Sequence, residues 1–424
     1  MNPPNDTVSI PFSDFPEDVQ LSILSFLTPS EITAFSCTSK RFNSLLNTDS
    51  KLWFFLCDRK FGSKTQINKW GSGKISYKRL YKVLSELENL IGFWRKSGPS
   101  KNDDDDFVAP RLLCFDWGPC YVIGSRVSGS KGGGYDVVKV PCLWVCLDSE
   151  GERLSFLDLN CKVRVFDDLG CVEDELIRVG VNLTGRFHFV VEENVCFDKV
   201  GVVEDTMSVR DKMIGSVGNQ LMADMYQYFA NRTSPGGERW LRRQKRKEKE
   251  RKKWEREHYV KIVNCSPTPS RPLQGLWKGI CDDMKLGLYL VAYDEIGGIA
   301  CRRIEDSSKP FSGFFPMFWT SNATFIESPL SPEEQYIYDS RTHIRPPEAS
   351  SDHIHGDEAV SRILYIKLSC DLVIPDFADA YVNTRQVEGR IWQYGNGTFG
   401  FGFLRDSHIV DLKPITRNDN HIET

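Results

Sequence analysis

Phe15-Pro16-Glu17-Asp18-Val19-Gln20-Leu21-Ser22-Ile23-Leu24-Ser25-Phe26-Leu27, then Thr28-Pro29-Ser30-Glu31-Ile32, closing on Leu52-Trp53-Phe54-Phe55-Leu56-Cys57, is the stretch that decides the architecture of this chain. Pro16 suits a first helical turn, and Glu17 and Asp18 sit at the positive end of the helix dipole. Val19, Leu21, Ile23, Leu24, Phe26 and Leu27 follow at roughly helical period. Thr28-Pro29-Ser30-Glu31 is a second start, with Thr28 as cap and Glu31 completing a capping box over Ile32 and Phe35. A third helix runs through Ser39–Leu46. Asp49 is placed to cap a fourth, with Leu52, Trp53, Phe55 and Leu56 expected to point inward. Helices this short bury too little apolar area to stand alone. They are therefore either a cap on the rest of the chain or a docking surface.

Composition bounds the remainder. The 424 residues are 40% hydrophobic and 26% charged, with a formal net charge of −4. That is ordinary globular usage, with no global pull toward nucleic acid or membrane. No apolar run reaches membrane-spanning length, and the first residues lack a basic-then-apolar signal. The expectation is a protein of the nucleus and/or cytoplasm, with no membrane partner. The 13 cysteines are scattered, without a Cys-x-x-Cys pair, and His353 and His355 stand apart from any of them. Neither a zinc site nor any cofactor is expected. Nucleophile-elbow, zincin, Walker and dinucleotide motifs are all absent from the sequence, so a catalytic role is not expected either.

The N-terminal residues resemble an F-box. The resemblance rests on the order Phe-Pro-Glu-Asp-Val, Ile-Leu-Ser-Phe-Leu, Pro-Ser-Glu-Ile, Cys-Thr-Ser-Lys-Arg-Phe and Leu-Trp. Pro16, Ile23, Leu24, Leu27, Ile32, Cys37, Lys40, Arg41, Phe42, Leu45, Leu52 and Trp53 fall at signature positions. Phe15 replaces the usual leucine before the proline, and Gln20 stands where an aliphatic is frequent. The resemblance implies docking on a Skp-type adaptor of a cullin–RING ubiquitin ligase, an SCF complex. Pro16, Ile23, Leu24, Leu27, Ile32, Phe42, Leu45, Leu52 and Trp53 are the implied adaptor-binding residues. It also implies a non-catalytic receptor that presents a protein substrate.

Behind residues 10–60, Ser76–Leu90 carries a helical stripe of Leu80, Val83, Leu84, Leu87 and Leu90, within a linker spanning 61–91. From Gly92 the texture is β: Arg111–Trp117, Tyr121–Val127, Val137–Leu147, Lys162–Phe166 and Arg186–Val191 are short apolar runs bounded by turn residues. Asp103–Asp106 reads as an acidic loop tip, and the glycines around Gly132 as a hairpin loop. Residues 202–271 interrupt the pattern. A helix through Met213–Phe229 is followed by a second from Glu238 to about Tyr259. Eleven of the eighteen residues from Arg239 to Arg256 are basic. This run is a solvated helix, or a nuclear-import signal at Arg242, Arg243, Lys245, Arg246 and Lys247, or a surface for an acidic partner. Nucleic acid is not expected, because only Trp240 and Trp254 are available to stack. Ser266–Pro272 reads as an extended linker.

Strand texture resumes over 272–415 with Leu276–Ile280, Gly287–Tyr293, Ile299–Ile304, Ala323–Ile326, Ile363–Leu368, Gln386–Trp392 and Phe399–Asp411. Ser328–Asp357 reads as a polar loop, and 416–424 as a tail. Gly92-Phe93-Trp94-Arg95 is echoed by Gly275-Leu276-Trp277-Lys278, both opening a β segment. So many strands favour closure into a barrel, which removes free edges. The expected class is α+β: all-α helices, then one large antiparallel barrel in two parts, 92–201 and 272–415, split by the charged insertion. Gly275–Gly279, Gly287–Tyr293 and Phe399–Leu404 resemble the substrate-binding, lipocalin-like barrel of the F-box family that captures D-type cyclins. That resemblance implies a protein substrate, with a cyclin-like protein as the candidate, held at the barrel surface or mouth. The competing reading is a carrier that holds a small molecule in the barrel.

Overall fold

The computed structural model describes residues 11–48, 50–97, 111–130, 134–158, 176–193, 256–280, 285–294, 297–304, 318–321, 324–345, 359–368 and 387–415. The basic run 239–255, the acidic loop 101–106, Lys162–Phe166, His353 and His355 lie outside them, as does Asp49. Four helices come first: α1 (Glu17–Leu24), α2 (Pro29–Ser36), α3 (Lys40–Thr48) and α4 (Ser50–Phe61). The capping box on α2 forms as expected: Thr28 Oγ1 accepts from the Glu31 N–H, and the Thr28 N–H donates to the Glu31 carboxylate at 2.7 Å. A 3-10 segment (Ile67–Gly73) and α5 (Tyr77–Leu87) follow.

Two β bodies come next. Strands β1 (Gly92–Ser97), β2 (Leu112–Trp117), β3 (Val122–Gly129), β4 (Val137–Leu147), β5 (Arg153–Asp158), β6 (Leu176–Leu183), β7 (His188–Glu193) and β8 (Glu257–Lys261) form a closed antiparallel barrel, each pairing with the next and β8 returning to β1. The α+β class, with helices ahead of a large antiparallel barrel, therefore holds. The charged insertion does split that barrel, between β7 and β8. The expectation that 272–415 completes it is corrected. Glu257–Tyr259, read as the end of the basic helix, is instead the closing strand. Once β8 has paired with both β7 and β1, the barrel has no edge left for later strands.

The remaining strands form a second sheet: β9 (Gly275–Ile280), β10 (Leu286–Tyr293), β11 (Ile299–Ile304), β12 (Phe318–Thr320), β13 (Ile326–Glu327), β14 (Thr342–Ile344), β15 (Val360–Leu368), β16 (Val387–Tyr394), β17 (Phe399–Phe403) and β18 (His408–Pro414). Phe399–Asp411 is thus a hairpin of two strands, not one. The order β12-β11-β10-β9-β18-β17-β16-β15 repeats the up-and-down plan of the first barrel, the last strand pairing with the first. β12 lies against β15, where Thr320 Oγ1 donates to the Tyr365 carbonyl at 3.3 Å. The polar loop is also corrected within the described residues. It contains β14 and a helix, α6 (Pro332–Asp339), capped by Ser331.

The Gly-x-Trp echo marks equivalent positions in the two bodies. Gly92 and Gly275 both have left-handed φ, 118° and 128°, where a side chain is strained. Trp94 Nε1 donates to the Leu90 carbonyl and Trp277 Nε1 to the Leu273 carbonyl, four residues back in each case. Trp94 meets Phe189 of β7 edge-on at 4.7 Å, and Trp277 meets Phe399 of β17 at 4.5 Å. The residue between points the other way. Phe93 and Leu276 join Leu112, Cys114, Val127, Leu288 and neighbours in a separate apolar cluster between the barrels. Ile262 and Ile415, just past the last strands, enter the same cluster and donate to the Phe93 and Leu276 carbonyls at 2.9 and 2.8 Å.

Candidate functional site

The N-terminal helices divide their apolar residues between two stripes. Leu24, Ile32, Leu46, Leu52, Trp53 and Leu56 form a buried cluster, with Leu21, Leu27 and Phe35 packed against it. Phe12, Phe35 and Phe42 interlock beside them, with ring centroids 4.6–5.8 Å apart. Trp53 Nε1 donates to the Leu46 carbonyl at 3.0 Å, tying α4 to α3. Gln20 is fully buried, and its amide nitrogen donates to the carbonyls of Phe12, Ser13 and Phe15. An aliphatic residue could not hold the turn ahead of α1 in that way. Arg59 of α4 donates to the carbonyls of Ser25 and Leu27, pinning the turn that follows α1.

The outer stripe is Val19, Ile23 and Phe26, at 37%, 45% and 79% exposure. Their spacing, i, i+4 and i+7, runs along one side of α1 and the turn after it. Of the adaptor-binding residues implied by the sequence, Pro16 and Ile23 are exposed; Leu27, Phe42 and Leu45 are half-buried; Leu24, Ile32, Leu52 and Trp53 are core. Phe26 and Val19 are outside that set; helical period places them on one broad face with Leu24 and Leu27, and the packing of the other helices separates the two stripes. Phe55, expected inward, is 53% exposed.

This helical module is seated on one end of the first barrel. α4 turns Leu52, Trp53 and Leu56 toward the other helices, and Cys57 and Phe61 toward the barrel core. The α5 stripe of Leu80, Val83, Leu84, Leu87 and Leu90 is buried in that same core. Phe61 and Trp70 both pack on Trp117, at 5.7 and 6.4 Å. Thr65 Oγ1 donates to the carbonyls of Gly118 and Pro119 in the β2–β3 turn. Arg79 pairs with Glu152 and Arg153 with Glu86, joining α5 to the β4–β5 hairpin. Lys60 and Lys64 both reach Glu88 at 2.9 Å. Burial raises the Glu88 carboxyl, but its bonds to the two lysines outweigh that and hold it below the usual range. Gly71 has φ 55°, and a Cβ there would lie 2.6 Å from the Asp148 carbonyl oxygen. The helices and the barrel approach that closely.

Among the described residues, buried aromatic side chains occupy the core of both β bodies. Trp94, Phe115, Phe189 and Tyr259 fill the first, with Phe189 and Tyr259 stacked at 4.8 Å. Trp277, Tyr289, Phe318, Phe399 and Phe401 fill the second. On the outside of the second body, Glu334 of α6 is buried and held by Arg390 in a two-pronged pair at 3.0–3.2 Å, with Tyr365 donating to the same carboxylate. Asp411 accepts from Tyr394 at 2.7 Å and contacts His343 Nδ1 at 2.8 Å. Burial, then the nearby Asp411, pushes the Tyr394 hydroxyl far up. These groups fasten α6 and β14 to the sheet. Among the described residues, no group of three or more His, Cys, Asp or Glu is placed to hold a metal. None of their helices is long and apolar enough to cross a membrane.

A two-striped helical module is thus locked onto a closed barrel, with a second antiparallel sheet behind it. Residues 12–59 match the F-box-like family model. The chain is 48% identical over 423 residues to "F-box protein At3g12350" of Arabidopsis thaliana, covering 97% of each. It therefore belongs to the F-box protein family. Two further Arabidopsis thaliana relatives align over 118 residues: "Putative F-box protein At5g39480", 35% identical over 27% of this chain and 19% of that protein, and "F-box/kelch-repeat protein At1g51550", 32% identical over 26% and 23%.

Proposed function

We propose that this chain is the substrate-receptor subunit of an SCF-type ubiquitin ligase. The carrying observation is the exposed Val19–Ile23–Phe26 stripe on an F-box-like module that is rigidly seated on a barrel. The stripe docks on a Skp-type adaptor and, through it, a cullin. The core residues Leu24, Ile32, Leu52 and Trp53 hold that face in shape. The barrels present a protein substrate, with a cyclin-like protein among the candidates, and the chain contributes proximity without chemistry of its own. The aromatic filling of both interiors supports a protein-binding surface over a small-molecule carrier. The basic cluster Arg242–Lys247 directs the chain to the nucleus; replacing its basic residues by Ala moves the protein toward the cytoplasm, and an unchanged distribution refutes that role.

The test is a pull-down with Ile23→Asp plus Phe26→Asp beside the wild type. The double variant loses the adaptor and cullin while its thermal unfolding stays unchanged, because both side chains are on the surface. Retained adaptor would sink the docking assignment. Leu24→Asp loses the adaptor by a different route, since it buries a charge in the helical core and unfolds the module.

A further inference from the structure

Ser or Thr stands directly before a proline at Thr28, Ser234, Ser266, Thr268, Ser328 and Ser331. Thr28 and Ser331 are taken up as helix caps, each accepting from the N–H three residues on. Of the six, Thr268 alone has a basic residue three positions later, in Thr268-Pro269-Ser270-Arg271. It lies in the connector between β8 and β9, which joins the closed barrel to the second sheet. Buried Ile262 and Leu273 anchor the connector, and every residue from Ser266 to Arg271 is exposed. Thr268 and Arg271 oppose each other across a short bridge. The Thr268 N–H donates to the Arg271 carbonyl at 3.2 Å, and the Arg271 N–H to the Thr268 carbonyl at 3.0 Å. Residues opposed in this way carry their side chains on the same side. The Thr268 hydroxyl also accepts from the Arg271 N–H at 3.1 Å and lies 3.3 Å from Ser270 Oγ. The Arg271 guanidinium reaches Gln274 Oε1 at 3.5 Å, the outer limit of a hydrogen bond. Opening the turn removes no side chain from the core, so a binding enzyme can extend it at small cost.

We propose that Thr268 is a phosphorylation site for a proline-directed protein kinase that selects a basic residue three positions on, and that Arg271 then holds the phosphate. Pro269 has no N–H, so it suits an enzyme groove that offers an apolar wall, and no backbone acceptor, at that position. In the transfer, Thr268 Oγ1 bonds to the γ-phosphorus of ATP and the bond from that phosphorus to the ADP oxygen breaks. The hydroxyl proton passes to the kinase's catalytic carboxylate. The product places about two negative charges opposite Arg271. The planar guanidinium suits two-pronged pairing with phosphate oxygens. The link between the two β bodies thereby gains a charge-assisted bond and turns from locally positive to locally negative.

The full chain is incubated with ATP and a purified cyclin-dependent kinase, and the modified residues are mapped by mass spectrometry over time. Thr268 is expected to be modified first. Pro269→Ala and Arg271→Gln, both on the surface, are each expected to slow it about tenfold. A synthetic peptide of residues 262–274 runs beside the folded chain. Modification of the peptide but not of the chain would show that the turn shields Thr268, and the proposal fails. Phosphate on Ser234 or Ser266 in place of Thr268, or on neither chain nor peptide, overturns it as well. The phosphate is then followed by phosphorus NMR as pH is varied, in the wild type and in Arg271→Gln modified by longer incubation. Pairing with Arg271 is expected to hold the second ionisation of the wild-type phosphate at lower pH than in the variant. Equal midpoints would overturn the role given to Arg271.

Discussion

The closed barrel and the second sheet share an up-and-down strand plan and differ in what meets the same end of each. The first receives apolar helices. Phe61, Trp70 and the α5 leucines continue its core outward, so helices and barrel form one hydrophobic body. The second receives a short connecting segment, Ile262–Gln274, and a rim of Arg, Tyr and Gln. Its extra helix, α6, packs on the outside and is held there by a buried Glu334–Arg390 pair. The helices thus cover that end of the first barrel, and among the described residues no helix covers the equivalent end of the second sheet.

That comparison can be broken most sharply at the paired tryptophans. Trp94→Ala and Trp277→Ala each empty a fully buried site, and each is expected to cost about 3–5 kcal/mol. Calorimetry distinguishes them. The Trp94 variant should lower the transition that includes the N-terminal helices and abolish adaptor binding at elevated temperature. The Trp277 variant should lower a separate transition and leave adaptor binding in place. Identical behaviour of the two would mean that the barrels unfold as a single unit.

Glu334→Ala probes the second barrel alone. It leaves the Arg390 charge, which is largely shielded from solvent, without its carboxylate, and a loss of about 3–5 kcal/mol is expected. Proteolysis should then cut around α6 while residues 11–97 stay protected; protection of α6 would show that packing, not the ion pair, holds it. Gly71→Ala tests the seat of the helices on the first barrel. It is expected to cost about 1–3 kcal/mol through left-handed backbone and the clash with the Asp148 carbonyl. Protease sensitivity in the 61–91 segment should rise, and an unaltered pattern would argue that the seat adapts.

Two smaller effects sharpen the picture. Glu88, held below its usual range by Lys60 and Lys64, stabilises the α4–α5 junction above the unfolded carboxyl value, and this contribution is lost as pH falls through its lower folded value. A partly exposed pair of this kind contributes roughly 0–1 kcal/mol. Glu88→Gln should therefore narrow the difference in melting temperature between pH 7 and pH 3, and an unchanged difference removes Glu88 from the account. Thiol labelling at pH 8 should reach exposed Cys37 before Cys57, Cys120 and Cys146, whose thiols burial pushes up to about 12, 11 and 12. Early labelling of Cys57 would indicate that α4 opens away from the barrel.

The helical module was legible because its signals are local. Thr28-Pro29-Ser30-Glu31 announces α2, and helical period marks Val19, Leu21, Ile23, Leu24, Phe26 and Leu27 as one broad apolar segment. The same start signal occurs in Ser331-Pro332-Glu333-Glu334, yet α6 was read as loop. Its eight residues carry only a short apolar side, Ile337 and Tyr338, and its main anchor is a charge whose partner lies more than fifty residues away. β5 and β6 were missed between turn-rich flanks, and β8 was hidden beneath the basic texture that precedes it. A strand's identity depends on which edge it pairs with, and composition does not carry that information.

By itself the amino-acid sequence determined the docking module, the antiparallel β character of the rest, and the Gly-x-Trp echo that opens each β body. Helix caps, helical spacing and alternation are set by neighbours within a few residues, so they survive without a fold. Only the tertiary structure decided that the strands divide between a closed barrel and a second sheet, that β8 closes the barrel before the sheet begins, and that Leu24 and Trp53 are scaffold while Ile23 and Phe26 face out. Closure is a pairing between β1 and β8, residues far apart in the chain, and burial is the sum of what every other element covers. Neither quantity is written in any one segment.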